Sequence, residues 1–575
     1  MKFIRKVFLT LIVIICITLI FGVNTNAVDF TKTKGSLTII KYEKGLLGHE
    51  GENIPLKDVE FTIYKVPDDW VDKTTPDDSM IPTAKDKTGE NGKVIFQDLD
   101  IGRYLVIETK VPENVTERIE NFLVDIPRTT ENGEDVIYDI TVEPKNNSAY
   151  GSITLTKEGI DSAKLKAVTF VLQKKIEEKW EDYPDSTKAV LSTNENGQIT
   201  VENLPMGNYR FVETSLGSNK EYILDNETGH EFNVSINTTD FKTVVTPESI
   251  TIVNDKPGIT KEIDHITKNT TNNVEDEKNS TDIGNTITYK TETDIPNTIA
   301  RLNTYKITDT MDKGLELNTE SITVKAGESV LSNKTDYTVI QLEENNGFVL
   351  EIKDTGKTKL DTAYKAGNKK MQILYDILLT QEADATNVGN KNKARLSYSN
   401  IVNENYKGES NNPDDPANII TTKEVETVIY TGGLLIEKRE NSKSGKTLSG
   451  AVFKIASTKE DAKKKKFIKD KSGNEITLKT KEDGKVSYKG LTYGKYYLVE
   501  IESPTFTEEG ETRHYDLLNK PVEIKVSNNT FKENTNIVIN KKPAKLPYTG
   551  AIGSIIIISI GIALVSSGII LSRRK

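Results

Sequence analysis

A lysine, a glutamate and an asparagine recur three times along this chain in one register: Lys41, Glu108 and Asn146; Lys157, Glu213 and Asn254; Lys438, Glu500 and Asn540. Each lysine closes a glycine-led run (GSLTIIK, GSITLTK, GGLLIEK), and each asparagine ends a short run rich in β-branched residues or proline. The glutamate precedes the asparagine by 38, 41 and 40 residues. Together these groups can form a covalent amide. Burial strips a lysine of its proton and leaves a nucleophilic amine, and it keeps a carboxylic acid protonated, so that the acid can polarise the asparagine amide while ammonia departs. Holding all three in one dry site makes the step intramolecular. Such residues are ordinarily solvated, or at most form a buried ion pair, but neither state accounts for a threefold register. The product is a Lys–Asn isopeptide bond made once, without turnover.

The elements that must position these groups repeat as well. Gly92 leads to Gly102-Arg103-Tyr104 and on to Glu108; Gly197 leads to Gly207-Asn208-Tyr209 and Glu213; Gly484 leads to Gly494-Lys495-Tyr496 and Glu500. Each reads as a strand, a glycine turn and a second strand, a hairpin pattern. Helical periodicity is scarce, so each repeat is expected to be a small β-sandwich whose first and last strands lie side by side. The repeats occupy 28–147, 148–256 and 428–545. Residues 257–427 are also β-rich, with a polar Asn411-Asn412-Pro413-Asp414-Asp415-Pro416-Ala417 loop. The expectation is an all-β chain of four tandem Ig-like sandwiches in an elongated array.

Of 575 residues, 76 are Lys or Arg and 86 Asp or Glu, a net charge of −10 that disfavours nucleic-acid binding. The single cysteine, Cys16, lies in an N-terminal apolar run, so disulfides, thiolate metal sites and cysteine nucleophiles are excluded from the processed chain. Residues 1–27 read as a secretory signal, with Lys2, Arg5 and Lys6 ahead of an apolar stretch and Thr25-Asn26-Ala27 at the cleavage site. At the other end, Leu546-Pro547-Tyr548-Thr549-Gly550 precedes an apolar stretch long enough to cross a bilayer and a basic Arg573-Arg574-Lys575 tail. The segment 546–575 resembles the cell-wall sorting signal of Gram-positive surface proteins, which implies sortase cleavage between Thr549 and Gly550. Processing at both ends removes six cations and no acid, so the mature chain is more acidic still.

The three repeats resemble Cna B-type domains, whose glutamate-bearing segment is the E-box of Gram-positive pilins, and 257–427 resembles the larger isopeptide-forming domain of backbone pilins. The resemblance implies bonds Lys41–Asn146, Lys157–Asn254 and Lys438–Asn540, promoted by Glu108, Glu213 and Glu500. For the central domain it implies Lys261 and Asn400 with Asp309; Asn390 and Asn392 lie just upstream, and only strand register separates them from Asn400. It also implies an inter-subunit lysine, matched here by Lys145 in Glu143-Pro144-Lys145-Asn146, although the aromatic residues of the family motif are missing. If Asn146 points inward, alternation points Lys145 outward. The implied role is a sortase-linked pilus shaft subunit on the cell surface. Its partners are a pilus-class and a housekeeping sortase, further copies head to tail, minor pilins and peptidoglycan, with the host ligand unknown. A non-polymerised wall adhesin or minor pilin is the alternative. No cofactor or metal is expected: the acid pairs lack calcium-loop spacing, and His49, His230, His265 and His514 are scattered.

Overall fold

The computed structural model describes residues 31–44, 53–71, 73–74, 79–112, 114–131, 133, 135–236, 244–269, 279–343, 347–402, 418–528 and 535–544. The expected signal (1–27), the 411–417 loop and the sorting segment (546–575) lie outside these residues. By its internal contacts the chain divides into two compact units. One comprises the described residues up to 219 together with 224–254; the other comprises 220–223 and the described residues from 255 onward.

The first unit holds two copies of one sandwich. In the first, strand Lys34–Ile40 lies between Asp139–Val142, to which it runs parallel, and Lys93–Asp100, to which it runs antiparallel. The facing sheet has the order Ala84–Lys87, Glu60–Val66, Gly102–Lys110, Phe122–Ile126. Alternation puts Leu37, Ile39, Val94 and Phe96 of one sheet against Phe61, Ile63, Tyr104, Val106 and Val124 of the other, forming one core. The second copy repeats this plan. Gly151–Gly159 lies between parallel Ser249–Asn254 and antiparallel Gln198–Leu204, opposite a sheet built around Thr169–Ile176 and Gly207–Ser215.

The second unit carries the third copy, in which Gly432–Glu440 lies between parallel Thr535–Asn540 and antiparallel Lys485–Leu491. It also carries a larger sandwich of two sheets. The first has the order Ile259–Thr267, Thr286–Asp294, Lys370–Leu379, Leu315–Ala326, Ser329–Leu331. The second has the order Tyr337–Leu342, Gly347–Ile352, Tyr305–Met311, Asn390–Ser399, Ile419–Thr421. A helix, Asp354–Lys365, buries Leu360 and Ala363 against that core.

The expected hairpin is corrected in all three repeats. Lys93–Asp100 and Gly102–Lys110 do not pair; they sit in opposite sheets, as do Gln198–Leu204 and Gly207–Ser215, and Lys485–Leu491 and Gly494–Glu502. The connection is an arch over the core edge, because both strands carry apolar faces that bury against each other. The repeated tyrosine holds the arch. Tyr104, Tyr209 and Tyr496 are fully buried and donate to the carbonyls of Asp100, Pro205 and Thr492, each four residues earlier, at 2.6, 2.8 and 2.8 Å.

Candidate functional site

Parallel pairing of the outer strands decides where the lysine and asparagine meet. Lys157 is in register with Ile252 and Lys438 with Val538, so each asparagine stands two residues beyond its lysine's partner, on the same face of the sheet. In the first repeat Pro144 interrupts the strand, but the register resumes with Tyr42 against Lys145 and Glu43 against Asn146. That again places Asn146 two residues beyond the position opposite Lys41. The leading glycine of each repeat fixes the lysine backbone. Gly92, Gly197 and Gly484 have φ near +70° (+69°, +70° and +72°), and their carbonyls accept from the amides of Lys41, Lys157 and Lys438 at 2.7, 2.7 and 2.8 Å. A Cβ on Gly92 or Gly197 would lie 2.4 or 2.6 Å from the carbonyl oxygen of Lys41 or Lys157, so both the turn and the close approach require glycine.

The facing sheet supplies the acid. In the first repeat the Lys41 amine donates to Asn146 Oδ1 at 2.5 Å and stands 3.1 Å from Glu108 Oε1, which accepts from Asn146 Nδ2 at 2.9 Å. In the second, Asn254 Nδ2 donates to both oxygens of Glu213 at 3.0 and 2.9 Å, with Lys157 Nζ 3.9 Å from the carboxylate. In the third, Lys438 Nζ is 3.1 Å from Glu500 Oε1, and Asn540 Nδ2 donates to Oε2 at 3.1 Å. Backbone amides of Ile119 and Leu518 also donate to Glu108 and Glu500, at 3.2 and 3.0 Å, and orient them. All nine side chains are buried.

The central sandwich builds the same set from other elements. The side chains of Lys261 and Asp309 are fully buried, with Nζ 2.6 Å from Asp309 Oδ2. Asn392, also fully buried, is the asparagine that reaches this cluster, through Tyr375. The expectation of Asn400 is therefore corrected. Its side chain donates to the carbonyl of Lys220 at 2.8 Å, and it stands eight residues beyond Asn392, about 26 Å along a strand. Asn390 is committed to Asp384 and the Ile429 carbonyl. Register decides: Asp309 pairs with Ala394 and Met311 with Asn392.

Electrostatics favour neutral partners. Burial pulls the Lys41 and Lys261 amines below the usual lysine range against the pull of Glu108 and Asp309, and takes Lys438 down to about 8 against Glu500. Burial likewise pushes Glu213 up to about 7 and raises Asp309, each partly offset by its lysine. In the central cluster both shifts run towards the neutral pair, an amine beside an acid that carries a proton, with the Asn392 carboxamide joined to them through Tyr375. Sequence reading missed the ring beside each cluster. Phe61, Phe170 and Phe453 pair in register with Glu108, Glu213 and Glu500, always next to a bulge, and all are fully buried. Lys438 Nζ lies 5.4 Å from the Phe453 ring centroid. The shared phenylalanine in EFTIYK, TFVLQK and VFKIA was the available signal.

Lys145 points away from the core, donating to Asn53 Oδ1 at 2.6 Å, while the adjoining Asn146 is buried. Leu546, Pro547, Tyr548, Thr549 and Gly550 lie outside the described residues.

Three stretches, 35–142, 151–249 and 432–541, match the family model SpaA, a prealbumin-like fold domain, and together make up more than half of the chain. The chain belongs to this family of prealbumin-like domain proteins. Its central stretch, 283–402, matches the Cna-B-like domain of Gram-positive pilin backbone subunit 2, so the chain is homologous to backbone subunits of Gram-positive pili. No curated protein sequence matches it. Similar solved structures include BcpA, the major pilin subunit of Bacillus cereus, at 23% identity over 69% of this chain and 100% of that one, with a TM-score of 0.42. The T6 backbone pilin of Streptococcus pyogenes is similar at 19% identity over 66% and 80%, with a TM-score of 0.40. The major pilin SpaD of Corynebacterium diphtheriae is similar at 20% over 90% and 99%, with a TM-score of 0.33.

Proposed function

We propose that the chain is the shaft subunit of a covalently polymerised pilus anchored to the cell wall, and that its four buried clusters close as isopeptide bonds Lys41–Asn146, Lys157–Asn254, Lys261–Asn392 and Lys438–Asn540. The observation that carries the reading is the fourfold convergence of a buried lysine, acid and asparagine in two different sandwich designs. In each, the neutral amine attacks the asparagine Cγ, the acid returns a proton to the departing nitrogen, and ammonia leaves. The protein turns over no substrate.

Assembly follows from Lys145 and the terminal segment. A sortase would cut between Thr549 and Gly550 and hold the threonine as an acyl-enzyme, and Lys145 of the next subunit would attack it. Such a head-to-tail contact does not close on itself and propagates as a filament. A last transfer to peptidoglycan would anchor the fibre. The outward lysine beside an inward asparagine supports this role. Two measurements test it. The intact mass of the secreted chain should fall short of the sequence value by four ammonias, and an unchanged mass refutes the cross-links. Co-expression with its sortases should give an SDS-resistant ladder that Lys145→Ala abolishes; a ladder that persists removes Lys145 from the role.

A further inference from the structure

The central cluster differs from the other three in how its acid reaches the amide. In the repeats a glutamate oxygen accepts directly from the asparagine Nδ2, at 2.9 to 3.1 Å. Asp309 is one methylene shorter. It meets the lysine at 2.6 Å, yet the Nδ2 of Asn392 donates to the Tyr375 hydroxyl, at 3.2 Å. That hydroxyl in turn donates to Asp309 Oδ2 at 2.6 Å and accepts from Lys261. One oxygen therefore touches the nucleophile, the acid and the leaving nitrogen. Its ring is held by stacking on Tyr289 at 6.0 Å and by the edge of Phe348 at 5.0 Å, and Phe348 is itself in register with Asp309.

We propose that Tyr375 is a catalytic residue of the central cross-link, its hydroxyl passing protons among Lys261, Asp309 and the nitrogen that leaves Asn392. This rests on the cross-linking reading above. The Lys261 ammonium first gives one proton to the Asp309 carboxylate. Nζ then attacks Cγ of Asn392, and the carbonyl electron pair moves onto Oδ1. Tyr375 takes a proton from the now cationic Nζ as it hands its own to Nδ2. The Oδ1 pair returns, the Cγ–Nδ2 bond breaks, and ammonia leaves; it collects the proton held by Asp309, which ends as a carboxylate. One amide is made, one ammonium departs, and nothing is oxidised or reduced. Burial and the neighbouring Asp309 raise the phenol well above its ordinary range, so it holds its proton between transfers.

The test follows the Lys261–Asn392 linked peptide by mass spectrometry in the full chain, sampled over time after a short pulse of synthesis. Tyr375→Phe keeps the ring and its stacking and should slow closure by about 10²-fold or more, the usual worth of a positioned acid–base group. Tyr337→Phe, which removes a buried hydroxyl of the same core that bonds to the Ile322 carbonyl, should close at the parent rate. Adding Asp309→Glu to Tyr375→Phe supplies the longer acid of the repeats and should restore much of the rate. Closure of Tyr375→Phe at the parent rate overturns the assignment and leaves the cross-link standing. Equal slowing in both phenylalanine variants, with no recovery in the double variant, assigns the effect to packing and also overturns it. A parent chain with no linked peptide refutes the cross-link at this site, and the role of Tyr375 falls with it.

Discussion

Asn146→Ala removes the electrophile of the first repeat while leaving Lys41 and Glu108 as a pair 3.1 Å apart. The contribution lost is the cross-link. The proposed bond would tie residues 105 apart in sequence; by chain entropy a loop of that length is worth about 4–5 kcal/mol. The variant keeps Lys41 beside Glu108, so the further penalty of roughly 3–5 kcal/mol for orphaning a buried charge is avoided. At about 4 °C per kcal/mol for a domain of this size, that loss lowers the melting transition of this repeat by roughly 15–20 °C. Scanning calorimetry of the whole chain measures it, with intact mass to verify that the variant falls short of its own sequence value by one ammonia fewer than the parent. Lys41→Ala should fall further, because it strands Glu108. A drop of less than about 5 °C for Asn146→Ala, in a chain whose parent has lost the ammonia, would refute the chain-entropy argument.

Three further outcomes are expected. Glu213→Gln preserves the hydrogen-bonding shape but holds no acid proton, so the Lys157–Asn254 bond should stay open in a folded chain, read as one ammonia retained. Asn392→Ala should abolish the central linked peptide, whereas Asn400→Ala should leave it intact and cost about 1 kcal/mol, the worth of its bond to the Lys220 carbonyl. Asn540→Ala leaves Lys438 as a titrating amine whose folded value, about 8, lies below the unfolded value of about 10.4. Between those values the unfolded chain binds more protons, so the variant should gain stability relative to its parent as pH rises from about 8 towards 10, the reverse of a salt-bridged lysine. Paired denaturant titrations across that range give the slope.

The three repeats were legible in sequence because their constraints are local. A glycine that must take a left-handed turn against the lysine carbonyl, a tyrosine tied to a carbonyl four residues back, and a strand ending in asparagine each leave a mark that repeats. Sheet membership left none: nothing in the composition of 93–110 distinguishes an arch from a hairpin, because both bury alternate residues. The central sandwich had no second copy to set its register. Asn390, Asn392 and Asn400 share one parity on their strand, so alternation cannot choose among them, and only the pairing of Asp309 with Ala394 does. Tyr375 was hidden for the same reason, since it looks like any core aromatic until the short Asp309 leaves it in contact with the amide.

In each repeat the chain enters along one strand and leaves along a parallel neighbour, with the reactive pair at the exit. Once that pair is joined, tension applied to the two ends passes through a few residues and bypasses everything between lysine and asparagine. A released loop of about 100 residues would pay out roughly 330 Å. A closed sandwich would withhold that length, so a fibre of cross-linked subunits would transmit a pull as a tether of fixed span, with the residues inside each loop still folded.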